Sequence, residues 1–188
     1  MADPTQMPVL HRTHGLDGQT GDPRARVAAP LARFSLRLPD AAIDAAATAL
    51  GLDLAGPINR AASAAGRTAM RLGPDEWLIL CPEAEAGALA EALDRALKNG
   101  AFALVDIGHR QIGMELAGDD AAAMLSAGCP LDLDLAAFPV GMATRTVFLK
   151  TEIVLWRTGT DAFHIEVWRS FAPYLWALLA EVGREYPE

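Results

Sequence analysis

The amino-acid sequence predicts an α+β fold made of two similar modules of the ferredoxin-like, or βαββ, type. Short segments in which apolar and polar residues alternate have the pattern of half-buried strands. Ala-rich segments between them have helical composition, and the order of elements in residues 31–108 is that of a split βαβ unit. Because helices would then lie on antiparallel sheets, the expected class is α+β.

The first module begins with a predicted strand over residues 31–38, where apolar and polar side chains alternate. Asp40 is well placed to cap a helix over 40–50, and Gly51 is a typical helix stop. The other elements predicted in this module are strands over 67–72 and 75–81, a helix over 83–99 and a strand over 101–107.

The second module, residues 109–188, repeats much of this order. Its predicted elements are a strand over 110–117, a helix over 119–127, strands over 144–150, 152–157 and 162–168, and a helix over 171–183. A repeat of roughly 80 residues indicates duplication of one α+β module, whereas chance similarity of Ala-rich helices is the alternative. The repeated motifs are Leu52-Asp53-Leu54 and Leu131-Asp132-Leu133, Arg67-Thr68 and Arg145-Thr146, and Gly73–Ile79 and Gly159–Ile165.

The composition favours one folded domain over residues 31–188 and excludes several classes of function. The formal net charge of −8 would repel the phosphates of nucleic acids. No apolar run approaches the roughly 20 residues that a bilayer-spanning helix needs, and no signal-peptide core is present, so we expect a cytoplasmic protein. Residues 1–30 lack hydrophobic periodicity and are predicted to form a flexible N-terminal arm. Cys81 and Cys129 are too few for a disulfide scaffold and are expected to be reduced.

Asp106 and His109 form the first candidate polar site. An imidazole with a neighbouring carboxylate could act as a general base. No nucleophile or third group that would orient the base accompanies them. We therefore expect a structural role, in which both side chains close the turn between two strands through hydrogen bonds.

Two further pairs of polar residues have the spacing that puts both side chains on one face of a strand. His164 and Glu166 are expected to form a polar pair on an exposed or interface surface, since a metal site needs more ligands. Asp132 and Asp134 could form a pair of the glycosidase type, but a loop anchored by its leucines is favoured. Glycine-rich nucleotide-binding motifs do not occur, so no catalytic, cofactor-binding or metal-binding residues are assigned.

Aromatic residues cluster near the end of the chain. Phe171 and Tyr174 have helical i, i+3 spacing, while Trp176 lies on another face. Trp and Tyr beside an arginine are enriched among the energetic anchors of protein interfaces. The sequence therefore predicts a partner interface formed by Trp168, Arg169, Tyr174 and Trp176, with ordinary core packing as the alternative.

Several ordered stretches of the sequence together resemble the gamma subunit family of heterotetrameric sarcosine oxidase. The resemblance covers roughly residues 31 to 183, and its many ordered motifs make it specific. The stretches that carry it are Leu72–Leu80, Val105–Arg110, Gly128–Leu133, Phe138–Gly141, Arg145-Thr146 and Trp168–Trp176.

This resemblance implies a non-catalytic subunit that binds no cofactor itself. The complexes of that family oxidatively demethylate sarcosine to glycine, producing hydrogen peroxide and either formaldehyde or methylene-tetrahydrofolate. The implied partners are the alpha, beta and delta subunits. By the same resemblance, FAD, FMN, NAD and the tetrahydrofolate site belong to alpha and beta, and zinc belongs to delta.

A more distant resemblance links the chain to the aminomethyltransferase of the glycine cleavage system. Asp106-Ile107-Gly108-His109 and Gly118-Asp119-Asp120-Ala121 carry this similarity. It implies a folate-binding-type fold, although a shared fold does not transfer function. The alternatives to a gamma subunit are a free-standing folate-binding one-carbon transferase and an assembly factor.

Overall fold

The computed structural model describes residues 16, 19 and 21–186, and it confirms the α+β class. The strands are β1 (Ala25–Val27), β2 (Leu31–Arg37), β3 (Arg60–Ala64), β4 (Arg67–Arg71), β5 (Glu76–Pro82), β6 (Ala103–Asp106), β7 (Gln111–Ala117), β8 (Ala143–Phe148), β9 (Thr151–Gly159) and β10 (Ala162–Trp168). The helices are α1 (Ile43–Leu50), α2 (Ala86–Leu97), α3 (Ala121–Ser126) and α4 (Ala172–Gly183).

Two five-stranded antiparallel sheets form the centre of the molecule. The first has the order β3-β4-β5-β2-β6 and the second the order β1-β7-β10-β9-β8. Helices α1 and α2 pack on one face of the first sheet, and α3 and α4 pack on one face of the second. The other faces of the two sheets meet in an inner layer whose buried apolar residues are Met70, Leu78, Leu80, Ile107, Ala143 and Val154.

Strand alternation explains this layering. In β5, Trp77, Ile79 and Cys81 face the helices, whereas Leu78 and Leu80 face the other sheet. None of the helices in the described part of the chain has the length and apolar character needed to cross a bilayer.

Helix α1 begins later than predicted. Asp40 does not cap the helix; it opens a 3-10 turn, Asp40–Ala42, and its side chain is 90% exposed. Gly51 ends α1 as predicted, with φ 67° and its amide bonded to the Ala47 carbonyl.

The prediction of a flexible arm is wrong for residues 21–30, which are part of the fold. Strand β1 pairs with β7, and the Arg24 side chain donates to the main-chain carbonyls of Gly183 and Tyr186, both at 2.9 Å. Arg24 also binds the buried Asp22 carboxylate (2.8 Å) and, chiefly through this hydrogen bond, holds the pKa of Asp22 below its usual range. Most of residues 1–20 lies outside the described residues.

One arginine in each half makes the same set of contacts. These arginines are not Arg67 and Arg145, which the sequence repeat had paired. Arg71 lies over the Trp77 ring at 5.0 Å, and Arg157 lies over the Phe163 ring at 4.9 Å. Each arginine also donates to the carbonyl of a glycine two residues later in the sequence: Arg71 to Gly73, and Arg157 to Gly159. The equivalent residues are therefore Arg71 and Arg157, and the repeated contacts favour duplication over chance similarity.

A reciprocal main-chain contact relates the halves to each other. The Ala61 amide donates to the Gly141 carbonyl (2.8 Å), and the Ala143 amide donates to the Asn59 carbonyl (3.0 Å). Asn59 and Gly141 both have positive φ, 65° and 84°, a conformation that Gly and Asn adopt most readily. An approximate twofold axis therefore passes between these two residues.

Candidate functional site

Three large aromatic side chains near the C-terminus are exposed on one short segment. Trp168 ends β10 and is 41% exposed, Phe171 is 44% exposed, and Tyr174, in the first turn of α4, is 37% exposed. The Arg110 guanidinium lies 5.0 Å from the centre of a Trp168 ring, within cation–π range. We call Arg110, Trp168, Phe171 and Tyr174 the C-terminal aromatic surface.

The structure removes one residue from the predicted interface and adds another. Trp176 is 8% exposed and belongs to the core, because its ring packs directly on Gly21, where a Cβ would lie 2.2 Å from Trp176 Cζ2. Arg169 is half-buried, and Arg110 occupies the cation–π position beside Trp168. Sequence reasoning missed Arg110 because its position depends on the pairing of Gln111 with Trp168 across β7 and β10.

The turn between β6 and β7 depends on Asp106. Its Oδ1 accepts a hydrogen bond from the Gly108 amide at 2.7 Å, as in an Asx turn. His109 is exposed, and its ring makes no hydrogen bond among the residues that the structure describes. The predicted contribution of His109 to the turn is therefore not seen, since the main chain and Asp106 close it.

A buried ionic cluster joins the two sheets through their inner faces. Arg33 Nε on β2 donates to Glu166 Oε2 on β10 at 2.6 Å, and His164 Nε2 lies 2.8 Å from Glu166 Oε1. All three residues are buried, so the prediction of an exposed or interface pair at His164 and Glu166 is wrong. The two residues do share a face of β10, but that face is covered by the first sheet.

Burial alone would raise the pKa of Glu166, because an apolar environment disfavours the carboxylate. The hydrogen bond from His164 and the charge of Arg33 outweigh burial and hold the pKa below its usual range. Glu166 is therefore an ion that bridges two donors. Gly113 allows this close packing, since a Cβ there would lie 2.9 Å from Arg33 Nη2 and 3.0 Å from His164 Cε1.

Asp132 and Asp134 do not form a carboxylate pair. Asp132 Oδ1 accepts from the Asp134 amide (2.9 Å), and Asp134 Oδ1 accepts from the Ala136 amide (2.8 Å). Each carboxylate is thus engaged in its own loop turn. Leu133 anchors this loop in the core, whereas Leu135 is exposed.

The described residues hold no group of three or more His, Cys, Asp or Glu side chains that could bind a metal ion. Cys81 and Cys129 are free and buried, and burial raises the pKa of the Cys81 thiol. Their positions indicate packing rather than thiol chemistry.

Comparisons with known proteins agree with the resemblance seen in the sequence. Residues 38–185 match the model of the family described as "Sarcosine oxidase, gamma subunit family". The chain is 36% identical over 122 residues to the sarcosine oxidase subunit gamma of Arthrobacter sp., and 32% identical over 126 residues to that of Corynebacterium sp. strain P-1. These matches cover 64% and 67% of this chain but only 59% and 61% of the relatives' lengths.

Solved structures show the same relationship in three dimensions. A chain of the heterotetrameric sarcosine oxidase from Corynebacterium sp. U-96 matches with a TM-score of 0.80 and 28% identity, covering 86% of this chain and 84% of that chain. The glycine cleavage system aminomethyltransferase T from Bartonella henselae matches with a TM-score of 0.63 and 15% identity, covering 82% of this chain and 44% of that chain. The second likeness confirms the aminomethyltransferase-like fold alone.

Proposed function

Because the chain belongs to the sarcosine oxidase gamma subunit family, we propose that it is the gamma subunit of a heterotetrameric sarcosine oxidase and is not catalytic by itself. One observation supports the second part of this proposal. The carboxylates considered for chemistry, Glu166, Asp106, Asp132 and Asp134, are each engaged in a contact that maintains the fold, and the exposed His109 has no carboxylate partner among the described contacts. The alternatives of a free-standing one-carbon transferase and an assembly factor have no support from the comparisons.

The proposed complex contains alpha, beta and delta subunits and acts in the cytoplasm. It oxidatively demethylates sarcosine to glycine with oxygen, releasing hydrogen peroxide and formaldehyde, or methylene-tetrahydrofolate when tetrahydrofolate accepts the carbon. FAD, FMN, NAD, tetrahydrofolate and zinc belong to the partner subunits in this proposal. The gamma chain supplies a folded surface that supports their assembly.

The isolated chain should therefore produce no hydrogen peroxide when it is mixed with sarcosine and oxygen. Isothermal titration with tetrahydrofolate should show no binding in the micromolar range, which corresponds to about −8 kcal/mol. The assembled complex from the same cells is the positive control. Turnover by the pure chain, surviving removal of trace flavoproteins, would overturn the proposal, and tight folate binding would favour the one-carbon transferase.

The C-terminal aromatic surface is the proposed contact with the large flavoprotein subunits. Trp168→Ala and Tyr174→Ala should each weaken assembly by about 2 kcal/mol, or roughly 30-fold, if the residue is a binding hot spot. Because both side chains are partly exposed and lie outside the buried core, the thermal midpoint of the free chain should change less than in a core variant. Co-purification titrations and thermal melts measure the two effects separately.

Trp176→Ala is the matched control for these variants. It removes a core ring and should destabilise the free chain by about 3–5 kcal/mol. If Trp168→Ala and Tyr174→Ala stay folded and assemble with wild-type affinity, the interface lies elsewhere on the chain.

A further inference from the structure

The twofold relation between the halves identifies a position where one half is filled and the other is open. In the second half, Phe138 precedes Pro139, and its carbonyl accepts a hydrogen bond from Arg157 Nη1 at 2.9 Å. In the first half, Gly56 precedes Pro57, and its carbonyl accepts a hydrogen bond from Arg71 Nη1 at 2.9 Å. Phe138 and Gly56 are therefore equivalent.

The side chain of Phe138 has no counterpart in the first half. Phe138 is buried in the core of the second half. At Gly56, a Cβ would meet no described atom within 4 Å. Gly56 lines a cavity of about 320 Å³, whose lining also includes Asp53, Pro57, Arg60, Ala62, Arg71 and Trp77. This volume lies within the range of pockets that hold ligands or partner side chains.

Arg71 and Arg157 also differ in the number of carbonyls that they bind. Arg157 Nη1 donates to two carbonyls, those of Leu133 and Phe138, both at 2.9 Å. Among the described contacts, Arg71 Nη1 has the Gly56 carbonyl and no second one. The first half thus lacks both an aromatic side chain and a carbonyl acceptor that the second half supplies from its own longer loop.

Two exposed apolar side chains lie near the twofold axis, next in sequence to the loops that carry Gly56 and Phe138. Ile58 and Val140 directly precede Asn59 and Gly141, so they flank the twofold axis, and they are 45% and 48% exposed. Exposed apolar side chains that lie close together are typical of protein-binding surfaces.

We propose that the cavity at Gly56 receives an aromatic side chain from another protein chain of the oxidase, which also offers a main-chain carbonyl to Arg71. The inference rests on the proposed function and adds a second contact to the C-terminal aromatic surface. The occupant is defined by the molecule itself, because Phe138 and the Leu133 carbonyl show what the equivalent site binds. A rigid ring in a preformed cavity is the usual form of an interface anchor.

Gly56→Phe tests the proposal by filling the cavity from within the chain. The residue before a proline favours extended backbone, which Phe adopts without strain. The variant should melt at or above the wild-type temperature, since the new ring buries apolar surface. Its association with the co-expressed alpha, beta and delta subunits should weaken about 30-fold, the loss expected of a hot spot.

Gly87→Phe is the matched control, because Gly87 lies on the exposed face of α2 and its Cβ direction is also open. It should assemble like the wild type. If Gly56→Phe does not fold, Ala62→Phe fills the cavity from another lining position, on edge strand β3, with the same expected loss.

The outcomes separate this inference from the proposed function. If the wild-type chain assembles and a folded cavity-filling variant assembles equally well, the cavity is not a partner site, although the chain remains a gamma subunit. If the wild-type chain itself does not assemble with these subunits, the proposed function and the cavity proposal both fall.

Discussion

Replacing Glu166 by glutamine should lower the free energy of unfolding by about 3–5 kcal/mol, the usual cost of breaking a buried ion pair from one side. The substitution keeps the shape of the side chain but leaves the buried Arg33 guanidinium without its counter-ion. His164 loses its carboxylate partner in the same step. Urea-induced unfolding of the isolated chain measures the change.

Glu76→Gln provides the matched control for Glu166→Gln. Glu76 also pairs with two arginines, Arg37 at 2.9 Å and Arg145 at 2.7 Å; both arginine side chains are exposed, and Glu76 itself is 14% exposed. Because water screens the two exposed arginines, Glu76→Gln should cost less than Glu166→Gln, on the order of 1 kcal/mol. Equal losses of unfolding free energy in the two variants would show that the buried position of Glu166 between the sheets adds nothing to its contribution to stability.

The lowered pKa of Glu166 also fixes the direction of its pH dependence. A group whose pKa is lower in the folded state contributes stability above its unfolded-state pKa, about 4.3 for glutamate. That contribution is lost as the pH falls through the folded-state value. The difference in stability between wild type and Glu166→Gln should therefore be full at neutral pH and shrink in acid.

Arg157→Met should cost about 3 kcal/mol or more, because it leaves two buried carbonyls, those of Leu133 and Phe138, and two partly buried ones without their donor. Arg157 is buried, and its side chain donates to the main-chain carbonyls of Leu133, Phe138, Gly159 and Thr160. Methionine fills a similar volume, so the loss reports mainly on the hydrogen bonds. Chemical denaturation measures it.

Arg71→Met is the natural comparison, since Arg71 holds the equivalent place in the first half. Its side chain is partly exposed, and water can replace some of its bonds. We expect a loss of about half that of Arg157→Met or less. A larger loss at Arg71 would mean that the two arginines are not equivalent in the way the contacts indicate.

The sequence predicted the elements whose patterns are strong and local. Strand β10 and the end of α1 at Gly51 follow from alternation and from a helix-stopping glycine. Strand β3 was missed because its sequence, Arg60-Ala61-Ala62-Ser63-Ala64, has little β-propensity. It forms because it pairs along its length with β4. A tight turn, in which Ala65 and Gly66 have positive φ, joins the two strands.

The errors at the site have a common physical cause. A single strand shows that His164 and Glu166 share a face, but it does not show that a second sheet covers that face. Trp176 likewise was assigned to the interface, because a single segment does not show its contact with Gly21, which joins distant parts of the chain. One signal was present and overlooked: Arg71 and Arg157 each stand two residues before the glycine of a repeated motif.

Strand β1 pairs with a strand that lies far from it in the sequence. It belongs to the sheet of the second half, although the whole first half separates it from its partner β7 in the sequence. Arg24 extends this link by bonding to the Tyr186 carbonyl, 162 residues away. During synthesis on the ribosome, β1 therefore emerges early but cannot pair until β7 has been made. The Arg24 contacts form only after nearly all of the described chain has been synthesised. Folding that depends on such distant pairings is slow, and until it is complete the edge of β7 remains open to pairing with other chains.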